Sequence, residues 1–252
     1  MTSSCLERPL VEICAPGVER AREAFALGAD RVELCRDIDC GGLTPTDDDM
    51  AAIPFLSGPV HVLIRVRPGD FVYSEAEIQT MLASIDRAAM SRAAGVVIGA
   101  LTPEGKVDIA ASKTLIDRAR EHGLSVTFHR AIDEAADYFE AYKAVCSLGV
   151  DRILTSGGMP TAWEGRFRLA QLLEAGVAEV PKSPAVRTGP KEGAGTAPTR
   201  SGFWVPLTRK LEAAKPIILP GKGITGENVR EIIAVTGARE VHGTRLEILK
   251  NL

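Results

Sequence analysis

The 252-residue chain has no apolar run near the ~20 residues that a membrane-spanning helix requires, so a transmembrane protein is not expected. Its formal net charge is only −3, from 30 Lys and Arg against 33 Asp and Glu, which leaves no basic footprint for nucleic acid or an anionic membrane. The five cysteines are odd in number and contain no CxxC pair, which argues against a disulfide framework. The opening residues, MTSSCLERPLVEICAPG, lack the charged segment and apolar core of a secretory signal, so a cytoplasmic protein with reduced thiols is expected. Aromatic residues make up only 5%, and Phe71, Phe128 and the methionines are too scattered to outline a cofactor box. What remains, 45% hydrophobic and 25% charged, is an ordinary globular composition at the size of one α/β barrel.

Against those absences stands a repeating grammar. In GADRVELC, residues 28–35, glycine reads as a helix stop, and the last five residues alternate polar and apolar like a strand with two different faces. Gly41-Gly42 then breaks the chain, and Thr44-Pro45 restarts a helix with Thr44 as N-cap and Asp47 three residues on. GVDRILTSGG at 149–158 repeats this pattern, and AAGVVIGAL at 93–101 repeats it more weakly. Glycines 28 and 149 lie 121 residues apart, the length of four strand–helix units of about 30 residues. Eight such units fit the chain and predict a single-domain, TIM-type (β/α)8 barrel over residues 1–252.

Strands are expected at 10–14, 31–35, 60–66, 96–99, 125–130, 152–155, 216–224 with its loop, and 240–243. Ser74 with Glu77, and Thr161 with Glu164, read as capping boxes that open helices. Residues 181–206 hold nine Gly or Pro in 26 and few apolar anchors, which predicts a disordered surface insertion before strand seven. A short helix is expected at 206–214. Only nine residues follow Gly243, so the final helix should be truncated and leave apolar surface near strands eight and one for a partner subunit.

In such a barrel the active site lies at the C-terminal ends of the strands. Residues two apart share a face, which pairs Glu12 with Cys14 on strand one and Glu33 with Cys35 on strand two. Strand three brings Arg65 and Arg67, strand five His129 with Arg130 and Asp133, and strand eight His242. Glu12, Glu33, His129 and Asp133 are candidates for acid/base work on a small anionic or phosphorylated substrate, with Arg65, Arg67, Arg130 and Lys222 as its clamps. The competing reading is structural: the glutamates neutralise Arg31, Arg65 or Arg130.

The turns Ser156-Gly157-Gly158 and Gly221-Lys222-Gly223 let backbone amides approach a ligand, as barrel phosphate sites do, although glycine turns also arise for steric reasons alone. Cys14 and Cys35 end neighbouring strands, which lie roughly 4.8 Å apart, and two thiolates suit a soft ion such as Cu(I). Free cysteine is equally a common buried small residue. His61 in mid-strand reads as core, and His122 in a last helical turn as a complement to the helix dipole.

The ordered motifs LVEIC, GADRVELC, GGLTP, VHVLIR, GDFVYS, VTFHRAID, DRILTSGG, LPGKGI and VHGTR resemble the copper homeostasis protein CutC family from residue 10 to residue 245, apart from the insertion. The resemblance implies a TIM-type barrel, a cytoplasmic location, oligomers in some members and a role in copper tolerance or trafficking. By motif, Cys14 and Cys35 match the cysteines proposed as copper ligands in that family. The chain departs from the usual IRPRGGDF at 64–71, carries PGKG at 220–223 for PGGG, and shortens HxSAR to HGTR at 242–245. Copper or a small anionic ligand is therefore the expected partner, with a homo-oligomer as the assembly the resemblance allows.

Overall fold

The computed structural model describes residues 8–178 and 215–252. Eight parallel strands alternate with helices: β1 (Leu10–Pro16), β2 (Arg31–Cys35), β3 (Val60–Leu63), β4 (Gly95–Ile98), β5 (Ser125–Phe128), β6 (Arg152–Thr155), β7 (Ile217–Pro220) and β8 (Glu240–Gly243). Neighbours in sequence pair from β1 to β7, and β8 returns to pair with β1. β7 and β8 lie side by side without a ladder between them, so the barrel is closed except at this seam.

Alternation decides which side chains enter the barrel. All five residues of β2 are buried, so its period-two pattern separates two buried faces rather than a dry face from a wet one. Val32 and Leu34 join the large apolar core beneath the helices, while Arg31, Glu33 and Cys35 project into the barrel. The interior has its own small apolar layer, formed by Cys14, Cys35, Leu63 and Val97.

The outer layer comprises α1 (Val18–Ala26), α2 (Asp47–Ala51), α3 (Glu75–Met90), α4 (Ile109–Glu121), α5 (Tyr138–Ser147), α6 (Ala162–Ala178) and α7 (Val229–Thr236). In α3, Ile78, Met81, Ile85 and Ala88 recur at helical spacing and bury one face. Its N-terminus carries the expected capping box, Ser74 accepting from the Glu77 amide and Glu77 accepting from the Ser74 amide. Among the described residues no helix is long and apolar enough to cross a membrane.

Three local readings are corrected. Thr44 does not cap α2; Thr46 does, with Asp49 completing the box. The Thr44 hydroxyl instead bonds the backbone of Arg65 on both sides, accepting from its amide at 2.8 Å and donating to its carbonyl at 3.1 Å. β5 ends at Phe128 rather than residue 130, because His129 opens a 3-10 turn over Arg130–Glu134. β3 likewise stops at Leu63 rather than residue 66, where the chain turns toward Thr44.

The insertion expected at 181–206 and the helix at 206–214 lie outside the described residues. After β8 there is no full helix but a 3-10 turn, Leu246–Lys250. It buries Leu246 and Ile248, so part of the apolar surface expected near strands eight and one is covered by the chain itself.

Candidate functional site

The register of β1 sets Glu12 beside Arg31 on β2 and beside His242 on β8, and sets Cys14 beside Glu33. These side chains build an ionic floor inside the barrel. Arg31 donates from Nε to Glu12 and from Nη2 to Glu240 Oε2 at 2.7 Å. Arg152 Nε donates to the same Glu240 oxygen at 2.8 Å. Two cations thus meet two carboxylates where an unpaired charge would be costly. His242 sits above, its Nδ1 2.8 Å from Glu12 Oε1 and its Nε2 3.4 Å from Glu33 Oε2. His61 is buried as expected of a core histidine, but its Nδ1 has no hydrogen bond among the described residues and lies 3.8 Å from Glu12.

Burial penalises each of these charges, and the neighbours decide the outcome. For Glu12, the His242 hydrogen bond and the Arg31 charge outweigh burial and hold the carboxyl well below the usual range. For Glu33, burial prevails against His242, aided by the Glu12 charge, and the carboxyl is raised to about 7. Burial alone would lower His242, but its bond to Glu12 and the charges of Glu33 and Glu12 raise it. His61 is pushed down to about 4, chiefly by burial.

The two thiols lie at the C-terminal ends of the adjacent strands, with Cys14 Sγ 3.4 Å from Cys35 Sγ. Gly42 of the GGLTP motif packs on Cys35 at φ +86, where a Cβ would fall 2.8 Å from Leu63 Cδ2. Only glycine fits both the backbone angle and the space. The hydrogen bond to Cys35, then burial and the Glu33 charge, push the Cys14 thiol well above its ordinary value, so Cys14 is protonated in the metal-free protein. One donor atom each from Cys14, Glu33 and His242 lies within 4.8 Å of the others.

Above this group opens a cavity of about 430 Å³ at the C-terminal mouth of the barrel, with Cys14, Glu33 and His242 at its base. Leu63, Phe71 and Ile224 give it an apolar wall, and Arg65, Arg130, Lys222 and Arg245 a cationic rim. Arg65 is 6% exposed; its Nη1 donates to the Cys40 and Gly42 carbonyls and its Nη2 to that of Gly69. His129 accepts from the Ala131 amide at Nδ1, which leaves its proton on Nε2. Burial and the Arg65 charge push its pKa down to about 3, so it is a neutral donor rather than a base.

Of the residues singled out in the sequence, Glu33, Arg65, His129, Arg130, Lys222, Gly223 and His242 line one cavity with Cys14. The others lie elsewhere, for identifiable reasons. Glu12 is below the cavity, held by Arg31 and His242. Asp133 accepts from Thr155 Oγ1 and from the Ser156 and Gly158 amides, while the Gly157 amide donates to Thr155 Oγ1. The amides expected to meet a ligand after strand six are therefore engaged within the protein. Arg67 bonds Glu77 at 2.5 Å and Asp70 at 2.9 Å, bracing the α3 cap. Gly221 packs inside the barrel, where a Cβ would come within 2.4 Å of Leu154 Cδ1. Cys35 lies behind Cys14, fully buried. His122 caps α4 and reaches Asp86 at 2.8 Å. Sequence reasoning missed Arg152 and Glu240; the signal was the alternation of Glu240 with His242, the same that pairs Glu12 with Cys14.

Comparison with known proteins agrees with this architecture. The chain is 35% identical over 233 residues to the family protein CutC of Aliivibrio fischeri, covering 92% of this chain and 80% of that one. It is 36% identical over 236 residues to the CutC of Xanthomonas campestris, covering 93% and 82%. A solved Streptococcus agalactiae CutC, ascribed to copper homeostasis, superposes with a TM-score of 0.73 at 26% identity, over 94% of this chain and 99% of that one. The phosphoribosyl anthranilate isomerase of Thermococcus kodakaraensis, at 16% identity and a TM-score of 0.51 over 93% of this chain and 87% of that one, shares the barrel alone. With the CutC family model matching residues 9–181 and such relatives along nearly the whole chain, the protein belongs to the CutC family.

Proposed function

We propose that this is a copper-handling protein of the cytosol that takes up Cu(I) at Cys14 and Cys35. The observation that carries the reading is the 3.4 Å separation of two sulfurs at adjacent strand ends, one of them bordering the cavity. Thiolates are soft donors that suit Cu(I), and the ascription of the streptococcal relative points the same way. With metal–sulfur bonds of about 2.3 Å, as in zinc thiolates, a linear sulfur–metal–sulfur unit spans about 4.6 Å. The observed spacing is shorter, so it favours a bent pair completed by His242 or Glu33, whose donor atoms stand within 4.8 Å of Cys14 Sγ.

Titration of the reduced protein with Cu(I) against a competing chelator tests this. One copper per chain is expected. Cys14→Ser and Cys35→Ser should each weaken binding by at least the about 10–100-fold that loss of an outer-shell partner costs a metal site. Cys40→Ser and Cys146→Ser serve as controls and should bind as the parent does. Uptake displaces thiol protons, so affinity falls as pH falls. Undiminished binding by the Cys14→Ser, Cys35→Ser double variant would remove copper from this site.

A second reading, an acid/base enzyme acting on a small anion, is favoured by one observation. Of the four acid/base candidates, Glu33 alone faces the cavity with its carboxyl raised to about 7, where a general acid or base works best near neutrality. Any turnover found with small phosphate or carboxylate esters should follow a pKa near 7 and vanish in Glu33→Gln; activity that survives the change would end this reading.

A further inference from the structure

Three donors at the rim of the cavity are left over by copper at the thiols. Arg65 is almost wholly buried, yet no carboxylate among the described residues pairs with it. Three of its five N–H donors are met by backbone carbonyls, and its Nε has no partner among the described residues. Carbonyl dipoles solvate a guanidinium without neutralising it, so its unmet requirement is for an anion. His129, 5% exposed, likewise has no partner among the described residues at Nε2, the nitrogen that carries its proton. Both side chains lie against one ring: Phe71 is 4.8 Å from the His129 ring and 4.9 Å from the Arg65 guanidinium carbon.

The third donor is Lys222. It sits between Gly221 and Gly223 at φ 75, a backbone angle that glycine adopts freely and lysine adopts only under strain. The loop after β7 thus holds a cation at the cavity where a glycine would be easier to accommodate, and strain of this kind clusters at ligand sites. No carboxylate among the described residues is paired with it. A volume of about 430 Å³ matches a small molecule rather than a bare ion.

We propose that the mouth of the barrel binds the oxyanion group, carboxylate or phosphate, of a small organic molecule, with Arg65, His129 and Lys222 as its donors and the Phe71 wall against its carbon atoms. The site goes beyond the copper reading and uses neither thiol, so the two stand or fall separately.

The test uses the full chain, reduced and treated with a chelator, titrated calorimetrically with inorganic phosphate, glycerol 3-phosphate and malate at matched ionic strength. Saturable binding of at least one is expected, weakened by about tenfold or more in Lys222→Gly through loss of a charge-assisted bond. That variant should melt no lower than the parent, since glycine relieves the strain. Arg65→Lys, which keeps the charge but loses the guanidinium edge, should weaken binding similarly, and Cys146→Ser, on α5 and away from the cavity, should leave it unchanged. Binding of phosphate and its ester assigns the site to phosphate; binding of malate alone assigns it to carboxylate. If none of the three binds saturably, or if binding persists in both Lys222→Gly and Arg65→Lys, the proposal fails.

Discussion

Replacing Arg31 with methionine is expected to destabilise the fold by about 3–5 kcal/mol, the usual cost of stranding a buried charge. For a protein of this size that lowers the melting temperature by about 10 °C. Methionine fills much of the same space, so the loss is mainly electrostatic. Among the described residues Arg31 alone joins Glu12 to Glu240, and both carboxylates are buried. Without it, Glu240 keeps Arg152, but among the described residues Glu12 keeps only the His242 hydrogen bond, with His61 3.8 Å away. Adding Glu12→Gln to Arg31→Met restores the balance of one cation to one carboxylate. The double variant should therefore lose less than the sum of the two single losses, a coupling that urea unfolding at pH 7 will measure. A single-variant loss under about 1 kcal/mol would mean that the floor is solvated as a surface pair is.

The repeat that predicted the barrel was legible because it is local. β2, β6 and β8 fall on the expected residues, since the strand pattern and a preceding glycine stop mark each of them. The cap of α2 was ambiguous for the same reason: Thr44 with Asp47 and Thr46 with Asp49 satisfy one local rule equally. Only a partner from the third unit, the Arg65 backbone, takes Thr44 out of contention. The site divides along the same line. That Glu33 and Cys35 share a face with each other follows from spacing, and so does the approach of the two thiols at neighbouring strand ends. That Asp133 would be consumed by the Ser156-Gly157-Gly158 loop does not follow, because the two segments lie a whole strand–helix unit apart. Depth within the barrel was equally hidden. Glu12 and Glu33 look alike in sequence, yet Arg31 and Arg152 make the lower level ionic and leave Glu33 facing the cavity.

The second large effect concerns His129 and pH. Its imidazole is pushed down to about 3 from an ordinary 6.5, so the fold holds it neutral. The sign follows from proton uptake. Below pH 6.5 the unfolded chain binds a proton that the folded chain refuses until about pH 3. The stability that goes with neutral His129 is thus complete above pH 6.5 and is lost as pH falls through that window. Each pH unit inside it costs about 1.4 kcal/mol, or about 3 kcal/mol between pH 7 and pH 4. Glu33 and His242, both raised, run the other way, so the net curve of the parent does not isolate the effect. The difference between parent and His129→Asn does. Asparagine can still accept from the Ala131 amide, and the variant should gain about 3 kcal/mol on the parent from pH 7 to pH 4. A difference that stays flat over that range would show that His129 protonates in the folded state as freely as in the unfolded one.

The closure of β8 on β1 also dictates when, during synthesis, the protein can come together. Arg31 and Glu240 are 209 residues apart. At about 5–20 residues per second, the ribosome takes about 10–40 s to make what lies between them. Through that interval Glu12 is already available 19 residues upstream of Arg31, but β1 has no strand on its other side. A nascent chain therefore carries a bare sheet edge next to a half-built ionic floor for nearly the whole of its translation, and an open edge is what a chaperone, or another unfinished copy, would engage first.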